Sequence, residues 1–541
     1  MEIFKRIIKS LNYHLRNTLF LDKYEKNYIK HNVKTWKDFK IDNNSSKRVI
    51  LVDLFEKKSL IHIWSYLANI LAKKTNSRIE HYYLTLYKGP TSRIEFFRHK
   101  LLKIFKSFNA EEGINEQKFD YTNKEIIFFQ KKFDQVKNSK SKIANFAIDN
   151  IKLGDLIYDS YLRTGLKKTI DIKDELFKKI FFRTLKIYLV TKKYFRKNKV
   201  VALIPSHTCY YYGIIARIAA KNDVPILKVN TENKGNENFR INLVDQKYVN
   251  EEAAPYFHFR KIFRKLPQSE KKRGLIIGKK ILQNRIKGNY DETIPYMKIS
   301  QFNKGLKKTN LIKNNNKKKI FIFPHCYFDN VHRYRHILFH DFEEQVNFLL
   351  KLSKKYSNYE WYYKPHPHEI KSDMNVHIEM LAKYPNVTLL DSKVGHNQII
   401  KSKPFCIFTN HGTVGHEYAA FKIPVIFTGD NKHINYKFGL HAKSKKQIEQ
   451  AIRDDKFLKK NIIYNKKDLY EFIYMNYVHF RNLYEREKLI KDSYFNTKDL
   501  SISDTSKCYE HLVKTSKESH NKIISYIENI IRSEDLKKYL P

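Results

Sequence analysis

The sequence reads IFIFPHCYFD at residues 320–329, YEWYYKPHP at 359–367 and FCIFTNHGT at 405–413. Each stretch begins with a short apolar run and turns polar within a few residues, which is typical of a buried strand that ends in a loop. Helical patterns separate the three runs, and strands that alternate with helix-length segments form parallel sheets. The three stretches therefore predict a parallel α/β domain with polar side chains at its strand ends.

The same alternation extends on both sides of these stretches. In the second half of the chain, further strands are predicted at 386–390 and 424–427. In the first half, a β-α-β pattern of the doubly wound type is predicted. Its elements are strands at 48–52, 79–86, 200–204 and 224–229 and helices at 59–74 and 211–221, with long helical stretches up to about residue 198 that the segment 153–164 interrupts.

The length of 541 residues favours two large domains with extensions. Residues 230–318 lack a clear period and end in a polar stretch that suits a linker between domains. We expect two Rossmann-type parallel-sheet domains that face a cleft. The predicted divisions are an amphipathic helical extension at 1–45, a first domain at 46–310, a second domain at 319–460 and a helical extension at 461–541.

The composition is that of a globular protein, with 42% hydrophobic and 14% aromatic residues. The four cysteines are scattered singly, so we expect free thiols and a reducing compartment. No run of about 18 apolar residues and no secretory signal pattern occurs, which predicts a cytoplasmic location.

The net charge of +48 favours an anionic partner such as a membrane surface, nucleic acid or an acidic polymer. Residues 1–20 form an amphipathic pattern with basic residues around an apolar stripe. Such a helix either lies peripherally on the inner face of an anionic membrane or docks on the protein's own core. Part of the charge also reflects the Lys-rich and Asn-rich usage of an AT-rich coding sequence.

The residues after the strands predict an anion site, because ligands of doubly wound sheets bind beyond the carboxyl ends of the strands. Thr413 and the amides behind Gly412 open a helix, Lys364 and His366 add positive charge or hydrogen bonds, and Glu417 is expected to bind a ribose. The expected donor-binding residues are His325, Asp329, His332, Lys364, His366, Pro367, Asn410, His411, Gly412, Thr413 and Glu417.

A metal site is the alternative use of the histidines. His332, His336 and His340 are spaced four apart, but zinc would need a further ligand, and Arg333 opposes a cation. No Asp-x-Asp motif stands in a persuasive setting. We therefore expect no obligatory metal and no cofactor.

These segments resemble the bacterial capsule and surface-polysaccharide glycosyltransferases of GT-B architecture. The resemblance covers about residues 150–430 and rests on GDLIYD at 154–159, the segment 325–332, KPHP at 364–367 and the segment from His411 to Pro424. Related patterns occur in capsule Kdo transferases, polysialyltransferases and teichoic-acid polymerases. The resemblance implies that His366 and Thr413 bind the nucleotide and phosphate of a sugar donor. One hydroxyl at Thr413 instead of a pair leaves the base open, with cytidine as the first candidate.

Sugar transfer also needs a group that accepts the proton of the acceptor hydroxyl. The first domain offers Asp155, Asp159 and His207, although Asp155 also suits a loop or cap role. We expect a saccharide or lipid-linked saccharide as acceptor and a nucleotide-sugar as donor. Two alternatives are a nucleotide-sugar epimerase of similar build and a nucleic-acid-binding protein, for which no recognised RNA-binding motif is present.

Overall fold

Two parallel sheets form the centres of two domains, which confirms the predicted α/β class. The computed structural model describes residues 20–39, 47–84, 93–231, 239–244, 246–250, 256–289, 300–334, 336–367, 371–479 and 506–533. The amphipathic helix expected at 1–20 lies outside the described residues, apart from Phe20.

The first domain is built on a four-stranded parallel sheet of order β3-β2-β1-β6. β1 and β6 are apolar along nearly their whole length, because both faces of a parallel sheet are covered. Two antiparallel pairs, β4-β5 and β7-β8, lie outside this sheet. The strands are β1 (Arg48–Asp53), β2 (Arg78–Tyr83), β3 (Ala110–Asn115), β4 (Ala147–Ile148), β5 (Ile151–Lys152), β6 (Lys199–Ile204), β7 (Leu227–Thr231) and β8 (Phe239–Leu243).

Helices cover both faces of this sheet, and side-chain caps fix several of their starts. Asp22 and Glu25 form a capping box at the first helix, and Thr122 and Glu125 form another. The helices are α1 (Lys23–Trp36), α2 (Lys58–Thr75), α3 (Arg93–Ser107), α4 (Asn123–Val136), α5 (Lys140–Ala144), α6 (Gly154–Gly165), α7 (Glu175–Lys197) and α8 (Tyr212–Lys221).

Three segments of the first domain differ from the sequence prediction. β3 lies in a stretch predicted to be helical, because this edge strand of sequence AEEGIN has few apolar residues. The segment 153–164, expected to interrupt the helices, is helix α6, whose first residue Gly154 packs so closely on α5 that a Cβ atom would lie 1.8 Å from the Ile143 oxygen. The strand predicted at 224–229 is a single parallel bridge at Ile226, followed by β7.

The second domain has a six-stranded parallel sheet of order β11-β10-β9-β12-β13-β14. All five strands predicted here are confirmed to within two residues, because each is a short apolar run between turn residues. The strands are β9 (Lys319–Phe323), β10 (Glu360–Tyr363), β11 (Val387–Leu389), β12 (Cys406–Thr409), β13 (Val425–Phe427) and β14 (Leu440–His441). The helices from this domain are α9 (Phe259–Lys265), α10 (Gln268–Ile286), α11 (Phe342–Lys355), α12 (Lys371–Leu381), α13 (His396–Lys401), α14 (Val414–Ala419), α15 (Lys445–Arg453), α16 (Asp455–Asn461) and α17 (Lys466–Ile473), followed by a π-helical turn at Tyr474–His479.

Helices α9 and α10 come from the stretch that lacks a clear period, yet they pack on the second domain. Phe259, Ile281 and Leu282 are buried in the same apolar cluster as Phe321 of β9. Helix α10 crosses α17 closely: at Gly278, a Cβ atom would lie 2.1 Å from the backbone oxygen of Tyr470. The sequence of α10 is polar on most sides of the helix and therefore gives no sign of its tight contact with α17.

The last helix of the described residues, α18 (Cys508–Ile531), returns to the first domain. Its buried Ile523, Ile527 and Ile531 lie in one apolar cluster with Tyr28 of α1 and Trp64 of α2. The first domain is thus assembled from the beginning and the end of the described chain.

Asp341, at the start of α11, ties the two domains together. Its Oδ2 accepts hydrogen bonds from the hydroxyls of Tyr158 and Thr169, each at 2.5 Å, and from Lys140 Nζ at 3.1 Å. The Asp341 side chain is fully buried, and its Oδ1 also caps α11 through the amide of Glu344. A buried carboxylate needs such partners to offset its lost hydration.

All four cysteines of the sequence lie in the described ranges, and each is a free thiol, as predicted. Within those ranges, every helix is too short or too polar to span a lipid bilayer.

The contact between α10 and α17 yields a first prediction. Gly278→Ala should lower the Tm by about 3 to 6 °C, because the forced separation of the two helices outweighs the better helix propensity of alanine. Thermal unfolding followed by circular dichroism measures this change. The control is Ile276→Ala on the exposed side of the same helix, which should change the Tm little. An unchanged Tm for Gly278→Ala would contradict the tight contact.

Candidate active site

The strand orders locate a switch point in each sheet. Successive strands are added on one side of β1 up to β3 and then on the other side at β6, and the same reversal separates β11-β10-β9 from β12-β13-β14. Doubly wound sheets bind ligands at the carboxyl ends of the two strands that flank such a reversal. The loops after β1 and β6, and those after β9 and β12, are therefore the candidate site.

At the second domain's switch point, His325 and His411 meet. Their Nε2 atoms lie 2.9 Å apart, so the N–H of one imidazole donates a hydrogen bond to the Nε2 atom of the other. His411 is buried, and burial, followed by the neighbouring His325, holds the pKa of His411 well below its usual value. His411 is consequently the neutral partner. Among the described residues, its Nδ1 has no hydrogen-bond partner.

Asp329 connects this pair to the first domain. Its Oδ2 lies 3.7 Å from His325 Nε2, and its Oδ1 accepts a hydrogen bond from the Tyr210 hydroxyl at 3.1 Å. Burial alone would raise the pKa of Asp329, but the hydrogen bond and charge of His325 bring it below the usual value. The loop after β6 therefore touches the loop after β9, and the carboxyl ends of the two sheets face each other.

Two residues in this contact have left-handed backbone. The φ angles are 52° for Tyr210 and 28° for Asn330, whose amide donates to the Tyr210 hydroxyl at 3.1 Å. A bulky side chain rarely adopts positive φ, and such strain persists only where the surroundings hold it. The contact between the two loops is thus maintained at a conformational cost.

A second, deeper cluster lies after β10 and along α14. Lys364 is buried, donates from Nζ to the Ser392 oxygen at 2.9 Å, and has its pKa lowered to about 8 by burial. The Glu417 carboxylate lies 3.6 Å from Arg285 Nη1 and 3.7 Å from His396 Nδ1. Burial lowers the pKa of His396 well below its usual value, so Glu417 is held between a buried guanidinium and a buried neutral imidazole.

Most of the other donor-binding residues expected after β10 and β12 are less buried than this cluster. His366 is exposed, while Pro367, Gly412 and Thr413 are half-buried. Thr413 precedes α14 and makes no side-chain cap hydrogen bond. Asn410 is buried, and within the described chain its Oδ1 has no hydrogen-bond partner. Neither a core role for His366 nor a capping role for Thr413 agrees with these positions.

Asp159 and His332, expected in the catalytic and donor-binding sets, bond to each other across the domain interface. Asp159 Oδ1 lies 2.7 Å from His332 Nδ1, and Asp159 Oδ2 accepts from the His332 amide at 3.1 Å. Both side chains are buried, and burial raises the pKa of Asp159 in spite of His332. The two residues join α6 to the loop after β9.

Asp155 lies one turn earlier on α6 and pairs with Arg217 of α8. The two carboxylate oxygens lie 2.6 and 2.7 Å from the two terminal nitrogens of Arg217, which also donates to the Lys152 oxygen at 2.6 Å. Burial alone would raise the pKa of Asp155, but the Arg217 charge holds it below its usual value. The geometry is that of a buried structural pair and does not bring Asp155 to the strand ends.

The first domain's switch point contains Asp53, Ser206 and His207. Asp53 ends β1 and is fully buried, and its Oδ2 accepts hydrogen bonds from the Ser206 amide at 3.1 Å and from the Ser206 hydroxyl. The same hydroxyl lies 3.0 Å from Nδ1 of the partly buried His207. Sequence reasoning identified His207 but missed Asp53, although its position directly after an apolar strand was the available signal.

The described residues contain no cluster of three or more His, Cys, Asp or Glu side chains placed to hold a metal ion. The spaced histidines point to separate partners, since His332 bonds Asp159 and His340 bonds Glu344.

No protein-family model and no curated protein matches the sequence. Among solved structures, UDP-GlcNAc 2-epimerase from Neisseria meningitidis bound to UDP-GlcNAc is 10% identical over 79% of this chain and 97% of that chain, with a TM-score of 0.25. The beta Kdo 2,4 transferase KpsC of Thermosulfurimonas dismutans is 11% identical over 51% and 79% of the two chains, with a TM-score of 0.29. The wall teichoic acid polymerase TagF is 12% identical over 97% and 99%, with a TM-score of 0.20. Kdo transferases and teichoic acid polymerases are two of the protein classes that the sequence motifs resemble. Because these TM-scores lie below 0.5, we base the fold on the chain's own sheets.

Proposed function

We propose that this protein is a glycosyltransferase of GT-B type that moves a sugar from a nucleotide-activated donor to a surface polysaccharide or lipid-linked saccharide. The observation that carries the proposal is the contact of Tyr210 with Asp329, which brings the carboxyl ends of two Rossmann-type sheets face to face. Transfer between two bound molecules needs two binding edges that share one space. Each edge here has its own set of polar side chains.

The donor is assigned to the second domain. Three adjacent strands, β10, β9 and β12, end in loops that present His366, His325 and Thr413. The Gly412 amide already donates to the Thr409 hydroxyl, which leaves the Thr413 amide and hydroxyl and the positive charge of Lys364 to suit a diphosphate or monophosphate. The motif resemblance supports the same assignment and favours a cytidine nucleotide.

Glu417 receives a different role from the one expected. Its carboxylate is buried between Arg285 and His396, so it has no open face toward a ribose. We assign it to positioning Arg285 and His396.

His207 is the proposed base for the acceptor hydroxyl. Of the three expected candidates, Asp155 and Asp159 are buried, whereas His207 bonds Ser206 and is partly exposed at the strand ends. An imidazole is also suited to accept a proton near neutral pH. No metal is required in this scheme, because side chains and backbone amides stabilise the leaving phosphate.

Purified protein with candidate donors tests the function. Thermal stabilisation by CMP, CDP, UDP or GDP should identify the nucleotide, and product analysis should show sugar transfer only when a saccharide acceptor is present. Formation of a 2-epimer without an acceptor would contradict transfer and favour the epimerase alternative. Sedimentation with anionic but not neutral vesicles would support a location at the inner face of the cytoplasmic membrane.

The donor site predicts the effects of His366→Ala and Thr413→Ala. Each change removes a hydrogen bond to a charged group, worth about 1.5 to 3 kcal/mol, so turnover or donor affinity should fall by about one to two orders of magnitude. The Tm should stay constant, because His366 is exposed and Thr413 caps nothing through its side chain. His340→Ala, at a partly exposed histidine bonded to Glu344, is the matched control. Normal specific activity of both variants would exclude the proposed site.

The assignment of Asp155 predicts a loss of stability instead of a loss of chemistry. Asp155→Ala leaves Arg217 buried and uncompensated, which costs about 3 to 5 kcal/mol, so the Tm should fall strongly. Asp155→Ala combined with Arg217→Met should recover part of the loss. Transfer per folded molecule, measured below the Tm, should stay near normal in the double variant. A stable but inactive Asp155→Ala protein would contradict this assignment and indicate that Asp155 is catalytic.

A further inference from the structure

The side chains of Asp53, Ser206 and His207 form a chain of hydrogen bonds at the first domain's switch point. β1 and β6 are neighbouring strands, and their carboxyl ends bring residues 53 and 206 together across 153 positions of sequence. Asp53 Oδ2 accepts from both the amide and the hydroxyl of Ser206, and His207 Nδ1 lies 3.0 Å from that hydroxyl. Ser206 is the middle member of the chain.

The direction of these hydrogen bonds follows from the number of protons available. An ionised carboxylate only accepts, so the single hydroxyl proton of Ser206 points to Asp53. The serine oxygen then faces His207 with its lone pairs. Nδ1 of a neutral His207 must in consequence carry the ring proton, which makes the opposite nitrogen, Nε2, the basic one.

We propose that Asp53, acting through the Ser206 hydroxyl, holds the proton of neutral His207 on Nδ1 and thereby makes Nε2 the nitrogen that accepts the acceptor's proton. This inference rests on the proposed function for its chemical purpose. Asp53 and Ser206 are positioning residues, and His207 is the catalytic residue.

In the transfer step, the acceptor oxygen forms a bond to the anomeric carbon of the donor sugar. The bond from that carbon to the phosphate oxygen breaks, and its electron pair stays on the leaving nucleotide. The proton of the acceptor hydroxyl moves to His207 Nε2. The resulting imidazolium is stabilised by the Asp53 charge, transmitted by the serine hydroxyl.

The surroundings of Asp53 place its ionisation near neutral pH. The side chain is fully buried, and burial raises the pKa of Asp53 to about 7 in spite of the Ser206 hydrogen bonds. Its titratable neighbours are Tyr82 on β2 and Tyr212 on α8, whose hydroxyl donates to the Leu84 oxygen. Below that pH, Asp53 takes up a proton on Oδ1, because both donors of Ser206 point to Oδ2, and its negative charge is lost. The neutral carboxyl no longer stabilises an imidazolium at His207, so activity should rise as the pH increases through about 7.

The order of the three residues separates this arrangement from a nucleophilic triad. In a Ser-His-Asp triad, the histidine stands between the carboxylate and the serine, so that it removes the serine's proton. Here the carboxylate bonds the serine directly, and the histidine lies at the outer end. Ser206 is 6% exposed, which also leaves it poorly placed to attack a substrate.

The position of the ring proton can be measured without any substrate. Protein labelled with ¹⁵N-histidine is examined by NMR at pH 8.5, and the His207 signals are identified by their loss in His207→Gln. The wild-type ring should carry its proton on Nδ1, and Asp53→Ala or Ser206→Ala should shift it toward Nε2. Asp53→Ala is used because an asparagine carbonyl could still accept from the amide and hydroxyl of Ser206. Ser206→Thr, which keeps the hydroxyl, and Asp134→Asn on the surface of α4 should leave it on Nδ1. A wild-type ring protonated on Nε2, or a proton unmoved by Asp53→Ala, would overturn the proposal.

The pH profile of sugar transfer supplies the second readout. Asp53→Ala should lower kcat by about 100-fold and leave only the rise that belongs to His207 itself, with the KM for the donor unchanged because the donor binds the other domain. A kcat and a pH profile of Asp53→Ala equal to those of the wild type would count against the proposal. Should the proton lie on Nδ1 as stated while no nucleotide-sugar is turned over, the positioning by Asp53 stands and the proposed function fails.

Discussion

The contact between the loops after β6 and β9 is the constraint on which the rest of the structure depends. A parallel sheet binds ligands only at its carboxyl edge, so two such sheets can cooperate only if these edges are turned toward each other. Tyr210 and Asp329 make this contact directly, and the buried pair of Asp159 and His332 holds the adjoining helix against the same loop. The hydrogen bonds of Asp341 fix the other end of that loop.

The interface is polar although it is buried, and this has an energetic reason. An apolar interface would gain free energy from contact alone, whereas buried carboxylates are stable only in one arrangement of their donors. Asp159 accepts hydrogen bonds from the ring nitrogen Nδ1 and from the amide of His332. Asp341 accepts hydrogen bonds from two hydroxyls and a lysine. Such pairing selects one orientation of the domains more strictly than apolar packing does.

The fold was predictable where strands are buried on both faces. β9 and β12 are mostly apolar, and the residues that follow them, His325 and His411, were predicted to lie close together and do so in the structure. The edge strand β3 carries charged residues and could not be told from a helix, and α10 lacks the apolar stripe that marks a surface helix. Side-chain pairing was beyond the sequence, since the partners of Asp155 and Asp159 lie 62 and 173 residues away. Periodicity reports which face of an element is buried but not which element covers it.

The return of α18 to the first domain has a consequence for synthesis of the chain. Tyr28 and Trp64 share their apolar cluster with residues of α18, so the core of the first domain is closed by a segment that is translated after the whole second domain. The usual order, in which an N-terminal domain folds before the rest of the chain exists, does not apply. During translation the second domain can complete its sheet first, and the apolar surface of α1 and α2 stays uncovered until about residue 531 has been made. Of these two domains, the one whose translation begins earlier is thus completed later.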